Sequence, residues 1–560
     1  MQNQPVETVI IDGVSQPFEN RFPSLNDRQI ARLMPRGRVR PLSSGEVVID
    51  PASDIKKFFV VLVGSLALSR ADESLDRRFN TLTPGMFTGE LSMVTGRRGL
   101  VRITAAEDSS VLEIDRNELL EILRSDSDLG NVFLLAFISR RVALVALGIG
   151  DIILVGSNHS PDTFRIKDFL TRNYQPYSFV DVDLDDDVQQ ILDRFHLSID
   201  ELPVVIGRSS VVLRNPTSEE LARRLVLNDS IDQEHIRDLI VVGAGPAGLA
   251  AAVYAASEGL DVLVVEGNAP GGQAGASSRI ENYLGFPLGI SGHELAGNAF
   301  AQAEKFGADM LVAKPAKQLR CDRRPYTIEI DGGRLHSRTI IIAAGAEYRR
   351  LPLTNLSKFE GAGVFYSATH LEAQFCAGEE VVVVGGGNSA GQAALFLSRT
   401  ARLVYLIVRA EGLEQSMSRY LTRRIEDDPK IKLLTNTEIS RLDGSERLQE
   451  VDWRNTKTGE TETHKTGCLF SMIGAIPNSN WLKGCLALDD RTFVKTGLDI
   501  KADELKTWNW PLSRPPMLLE TSLPGVFAVG DIRSGSVKRV ASAVGEGSIV
   551  ISLVHRLLAE

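Results

Sequence analysis

The chain has 560 residues, 43% hydrophobic and 24% charged, and a formal net charge of −10. That length suggests three or four domains. The acidic balance, with no Lys/Arg block set against it, argues against nucleic acid as a partner.

The first residues, MQNQPVETVIIDGVSQPF, lack a basic stretch followed by an apolar one, so no signal peptide is expected. Residues 1–150 alternate short β-type runs (VVID, FFVVLVGSLALS, VLEID) with turns, then end in helical stretches. This pattern predicts a small β-roll with a helical tail. The longest apolar run, near Val142–Gly150, is too short to cross a bilayer. A cytoplasmic protein with no membrane partner is expected.

Residues 151–228 read strand–helix–strand–helix–strand–strand–helix, a compact α/β module. Pro161 and Ser218 mark helix starts. Residues 229–235, DSIDQEH, form a polar linker.

Two glycine-rich turns follow, each between an apolar strand and a helix. The first runs Gly243-Ala244-Gly245-Pro246-Ala247-Gly248 after LIVV. In such a turn the first Gly permits the bend and the second admits a pyrophosphate. The third lets the helix pack on the strand. Glu266, 23 residues after Gly243, is spaced to bind ribose hydroxyls. The second turn runs Gly385-Gly386-Gly387-Asn388-Ser389-Ala390. Its next strand ends at Arg409, 24 residues after Gly385, where a base suits the 2′-phosphate of NADP. A solvated end-of-strand charge is the plainer alternative.

Further short motifs follow in order: Gly271-Gly272-Gln273, Glu281-Asn282-Tyr283, Ala343–Ala346, Gly385–Ala390, Ile473-Gly474, Pro524–Asp531 and Arg539-Val540-Ala541. Through these the chain from Asp238 onward resembles the low-molecular-weight thioredoxin reductases. The resemblance implies an FAD domain over 236–350 and 478–560, with an NADPH domain over 351–477 inserted in it, and a homodimer. It places Gly272, Gln273, Asn282, Ala344, Gly345, Gly530, Asp531, Arg539, Val540 and Ala541 near FAD. Gly385, Gly387, Asn388, Ser389, Ala390 and Gly474 fall to NADPH.

The family's paired redox cysteines are replaced. Ser367 and His370 stand where they belong, and neither side chain can exchange disulfides. His370 either relays a proton to a reduced flavin or only fills space. The four cysteines, Cys321, Cys376, Cys468 and Cys485, form no C-x-x-C and are expected to be reduced, buried and unpartnered. No metal site is expected.

Residues 151–228 resemble the thioredoxin or glutaredoxin fold, with Leu202-Pro203-Val204 like its cis-Pro turn. Ser160-Pro161-Asp162-Thr163 stands at the redox motif. Residues 22–147 resemble a cyclic-nucleotide-binding domain through Gly64-Ser65, Pro84–Leu91 and Val111–Ile114. Gly89, Glu90 and Leu91 would open its phosphate cassette. The phosphate-binding Arg falls on Gly99-Leu100, with Arg97 and Arg98 early in register.

The expected fold is α/β. Two doubly wound dinucleotide-binding domains, one inserted in the other, follow the cyclic-nucleotide-binding-like β-roll and the thioredoxin-like module. The expected activity passes electrons from NADPH through FAD to a non-dithiol acceptor, a small molecule or a protein. A cyclic nucleotide is a candidate ligand. The alternatives are a regulatory flavoprotein sensor and a thioredoxin-disulfide reductase working through Cys376.

Overall fold

The computed structural model describes residues 8–11, 14–17, 22–50, 56–69, 78–89, 93, 101–146, 152–184, 188–195, 197–207, 211–228, 231–277, 279–414 and 416–560. Glu90, Leu91, Arg97 and Arg98, named for the cyclic-nucleotide site, lie outside the described residues.

The N-terminal module is a roll of two antiparallel sheets. One orders Arg38–Leu42, Ser109–Asp115 and Lys57–Val63. The other orders Val47–Ile49, Arg102–Ala105, Leu66–Ser69 and Arg78–Leu82. Helix Ser127–Ala146 closes it by setting Phe133 against Phe58 and Phe87, with ring centroids 5.1 and 4.8 Å apart. Edge-to-face packing of this kind adds specificity to plain apolar burial.

The middle module is a four-stranded sheet ordered Tyr177–Asp181, Ile152–Gly156, Val204–Ile206, Val212–Arg214. The first pair is parallel and the other two are antiparallel. Ser160 caps helix Pro161–Arg172 by accepting from the Thr163 amide, and Pro161 occupies its first turn. The Leu202–Pro203 bond is cis, as expected.

The first nucleotide domain carries a seven-stranded sheet. Ile236–Val242 lies between Val262–Val265 and the long strand Gly333–Ile342, parallel to both. Val526–Ala528, from the far end of the chain, adds in parallel to the second half of Gly333–Ile342. Strands of this kind, buried on both faces, read as continuous apolar runs. Helix Val540–Leu558 is long and apolar enough, by length and composition alone, to cross a membrane. Here its Gly547 meets helix Pro246–Ser257 so closely that a Cβ would stand 2.3 Å from the Ala247 carbonyl.

The second nucleotide domain is a five-stranded parallel sheet ordered Val364–Phe365, Cys468–Ser471, Glu380–Val384, Leu403–Ile407, Ile431–Leu434. A three-stranded meander accompanies it. The chain leaves the first domain through Ala346–Tyr348 and returns through Ala475–Pro477, and these two strands pair as an antiparallel ribbon.

The expectation of four unpartnered thiols is corrected. Cys321 is bonded to Cys485 across 164 residues and Cys376 to Cys468 across 92, with Cα separations of 5.8 and 6.2 Å. Topology is the reason. Cys376 ends the segment leading into Glu380–Val384, and Cys468 opens the strand paired with it. Such long separations leave no spacing motif to detect.

Candidate cofactor and redox site

Both glycine turns open into one cavity of ≈ 1280 Å³ between the nucleotide domains. From the first domain Gly243, Gly245, Glu266, Gly272, Gln273 and Asn282 line it, as do Ala344, Gly345, Gly530, Asp531, Arg539 and Val540. From the second come Ser367, Gly385, Gly387, Asn388, Ser389, Arg409 and Gly474. Gly248, Ala390 and Ala541 do not reach the lining.

The turns have the geometry a dinucleotide needs. Gly243 has φ +106°, and a Cβ there would stand 2.3 Å from the Ala343 carbonyl oxygen. A Cβ on Gly248 would lie 1.8 Å from the Gly243 oxygen, so only Gly lets this helix seat on the strand. Gly245 faces open space: the nearest atom to its Cβ position is the Gly272 Cα at 3.9 Å. In the second turn Gly385 (φ +141°) is hemmed by Met472, while nothing lies within 4 Å of a Cβ on Gly387. In each turn one glycine is demanded by backbone crowding and another leaves a cradle a Cβ would fill. That arrangement fits a pyrophosphate at the start of each helix.

Glu266 is held from both sides. Oε2 accepts from the Ala244 amide at 2.8 Å and Oε1 from the Asn268 amide at 2.9 Å. Glu266 also lines the cavity, and each of its oxygens keeps a further lone pair that could accept from a ribose hydroxyl. Gln273 Nε2 donates to the Ala346 carbonyl, tying the Gly271–Gln273 loop to the interdomain ribbon. Burial raises Asp531 above the usual carboxylate range, against the pull of Lys538. Glu546, missed in the sequence, holds this corner: it accepts from the Gly530 amide at 2.7 Å and pairs with Arg533 at 2.5 Å.

On the second turn, Ser416 Oγ donates to the Gly386 carbonyl at 2.7 Å, and Asn388 Oδ1 accepts from the Ser418 amide at 2.8 Å. Arg409 is exposed on the cavity wall. Across the cleft, Glu281 pairs with Arg424 at 3.2 Å and accepts from Tyr420, joining the two domains.

Ser367 lines the cavity and donates to Glu372 Oε1 at 2.7 Å. Glu372 also accepts from the Thr369 amide at 2.8 Å and from the Thr369 hydroxyl. Burial raises its pKa above the ordinary carboxylate range, while the Thr369 and Ser367 bonds oppose the rise. His370 opens helix His370–Phe375, but its side chain, on which the proton-relay expectation rests, lies outside the described residues. Among the described residues no cysteine lines the cavity. The middle module does reach it: Arg172 stands on the wall and donates to the Gly272 carbonyl at 2.9 Å. No sequence motif marks that residue.

Two glycine-gripped nucleotide sites on doubly wound sheets, facing one cavity, define a class of oxidoreductase that uses two dinucleotides. The profile of the pyridine nucleotide-disulphide oxidoreductases matches residues 237–547, and that of the cyclic nucleotide-binding domain matches residues 39–126. The thioredoxin reductase of Bacillus subtilis (strain 168) is 33% identical over 333 residues, 59% of this chain and 97% of that protein. The thioredoxin reductase of Mycolicibacterium smegmatis is 36% identical over 327 residues, 58% of this chain and 97% of that protein. The crystal structure of Lactococcus lactis thioredoxin reductase (FR conformation) superposes with TM-score 0.52 at 26% identity, covering 58% of this chain and 99% of that one. The chain belongs to the pyridine nucleotide-disulphide oxidoreductase family, with a cyclic nucleotide-binding domain at its N-terminus. FAD and NADPH are the cofactors of its thioredoxin reductase relatives.

Proposed function

We propose that the chain takes electrons from NADPH and passes them to an acceptor other than a cysteine disulfide. The observation that carries this reading is Ser367: it lines the shared cavity at the position where the resemblance puts a redox cysteine. Its hydroxyl is committed to a buried carboxylate. FAD, held by the first glycine turn, Glu266 and the Gly530–Asp531 corner, supplies the hydride chemistry when bound. The protein's own part is to orient the two nucleotides and keep water from between them. Gly385, Gly387, Asn388, Ser389 and Gly474 would hold NADPH, and Arg409 would select its 2′-phosphate. The middle module is read as a thioredoxin-type fold without its cysteines, serving docking, and the working form as a cytoplasmic homodimer.

The Cys376 alternative is weakened by the burial of that residue, 1% exposed, and by its bond to Cys468. The sensor alternative draws support from a chain of contacts out of the first module. Arg141 donates to the Tyr174 carbonyl at 2.5 Å, and Tyr174 stacks on His293 of the first nucleotide domain, centroids 4.2 Å apart.

The test is anaerobic titration of the purified flavoprotein with NADPH and, separately, NADH. The flavin should bleach with NADPH, a thioredoxin-coupled assay should stay at background, and quinones or ferricyanide should be turned over. Thioredoxin-coupled turnover above background would overturn the non-dithiol acceptor. Bleaching without turnover of any acceptor would favour the sensor.

A further inference from the structure

The middle module touches both nucleotide domains. Its helix Pro161–Arg172 begins against the second, where the Phe164 ring lies 5.6 Å from Phe365 and 6.0 Å from Phe375. It ends against the first. Arg172 Nη2 donates to the Gly272 carbonyl at 2.9 Å, and Asn173 Nδ2 donates to the Asn268 carbonyl at 3.3 Å. Among the described residues of that module, Arg172 alone lines the cofactor cavity.

The Arg172 guanidinium is under-used. Asp168 stands 3.8 Å from Nη1, beyond hydrogen-bond range. Nε is buried and, among the described residues, has no hydrogen-bond partner, which leaves the charge of this side chain to be met from the cavity side. The cation is felt nearby: burial pushes the Tyr348 phenol up to about 12, with Arg172 pulling it back. A helix C-terminus favours a cation, but a side chain lying along the helix would satisfy that preference. Arg172 instead leaves its helix for the Gly272 loop. Gly272 faces Gly245 so closely that a Cβ on it would stand 3.0 Å from the Gly245 Cα. Gly245 is the position where backbone and dinucleotide pyrophosphate approach each other.

We propose that Arg172 is a cofactor-binding residue lent by the middle module, its guanidinium pairing with the pyrophosphate of FAD beside Gly245 and Gly272. The inference rests on the flavin reading above. A guanidinium that stands on the cavity wall and already reaches the Gly272 loop can pair with a phosphate oxygen brought against that loop. Docking of the middle module and retention of FAD then become one linked equilibrium, each strengthening the other.

The test measures FAD affinity of the full-length apoprotein by flavin fluorescence quenching at low and high salt. Arg172→Met should weaken FAD binding about 10- to 100-fold and flatten its salt dependence. Arg172→Lys, which keeps the charge without the fork, should fall between. Asn173→Ala removes a docking bond from the same helix end and should change affinity by less than about twofold. Thermal unfolding of each apoprotein checks that it folds. Should Arg172→Met fail that check, the salt dependence and affinity of Arg172→Lys decide. Parental FAD affinity in Arg172→Met, or an equal loss in Asn173→Ala, would overturn the proposal. Neither result touches the flavin reading, which stands or falls on the FAD content and NADPH bleaching of the parent chain.

Discussion

The Ser367 hydroxyl donates to Glu372 Oε1 at 2.7 Å, and Glu372 is 3% exposed. A serine at the redox position is therefore built into the start of helix His370–Phe375. Ser367→Ala leaves Glu372 its Thr369 partners and should cost about 1 kcal/mol. Glu372→Ala orphans Ser367 and Thr369 together and should cost about 2–3 kcal/mol. Chemical denaturation reads both. Stopped-flow bleaching of the flavin by NADPH should be unchanged in Ser367→Ala. A large rate loss there would give the hydroxyl a chemical role.

The glycines separate folding from binding. Gly248→Ala puts a methyl 1.8 Å from the Gly243 oxygen, so little folded protein is expected on expression. Gly245→Ala meets nothing closer than 3.9 Å and should fold but lose FAD. Gly387→Ala, with open space around its Cβ, should keep its FAD and raise the KM for NADPH. Flavin absorbance of the purified variants, followed by steady-state kinetics, checks all three.

Lys167 gives the middle module a pH signature. Its Nζ lies 3.2 Å above the Phe179 ring centroid, and burial lowers its pKa from 10.5 to about 8, with Asp181 opposing. The folded chain thus releases this proton before the unfolded chain does. Between pH 8 and pH 10.5 the unfolded state holds more protons, so this group's contribution to stability rises with pH across that window and is flat below it. Lys167→Met should lack the rise. The difference between the melting curves of parent and variant, taken from pH 7 to pH 10, isolates the effect. Parallel curves would refute it.

All four cysteines are paired. Thiol titration of the unreduced, denatured protein should find no reactive group, and prior reduction should release all of them. Cys468→Ser opens a closed loop spanning 92 residues and should lower stability by about 2–5 kcal/mol. Free thiols in the unreduced protein would show the bonds are not formed.

The nucleotide sites were legible because their constraints are local. A backbone at φ +106° or +141° asks for glycine, and strand, turn and helix supply the context within a short stretch. Glu266 and Arg409 were picked by their fixed distances from the turns, and both line the cavity. Glu546, Ser416 and Arg172 were not legible. Each reaches its partner from a distant segment, and Arg172 does so from a different module. The Thr369-x-x-Glu372 pattern reads as an ordinary helix cap, and nothing in it tells that the carboxylate is sealed from solvent. The disulfides escaped because nothing local in the sequence marks a contact across 92 or 164 residues. The cyclic-nucleotide residues Glu90 and Arg97 lie beyond what the structure describes.

The ribbon of Ala346–Tyr348 and Ala475–Pro477 carries the backbone out of one nucleotide domain and back into it. A swivel about such a ribbon would be nearly unopposed if nothing else joined the two bodies. Here any swivel must slide Phe365 and Phe375 off Phe164 while Arg172 stays with Gly272, and it must also part Arg424 from Glu281. The interposed module thus spans the joint from both sides, so that a turn of one nucleotide domain against the other would have to break its contacts as well.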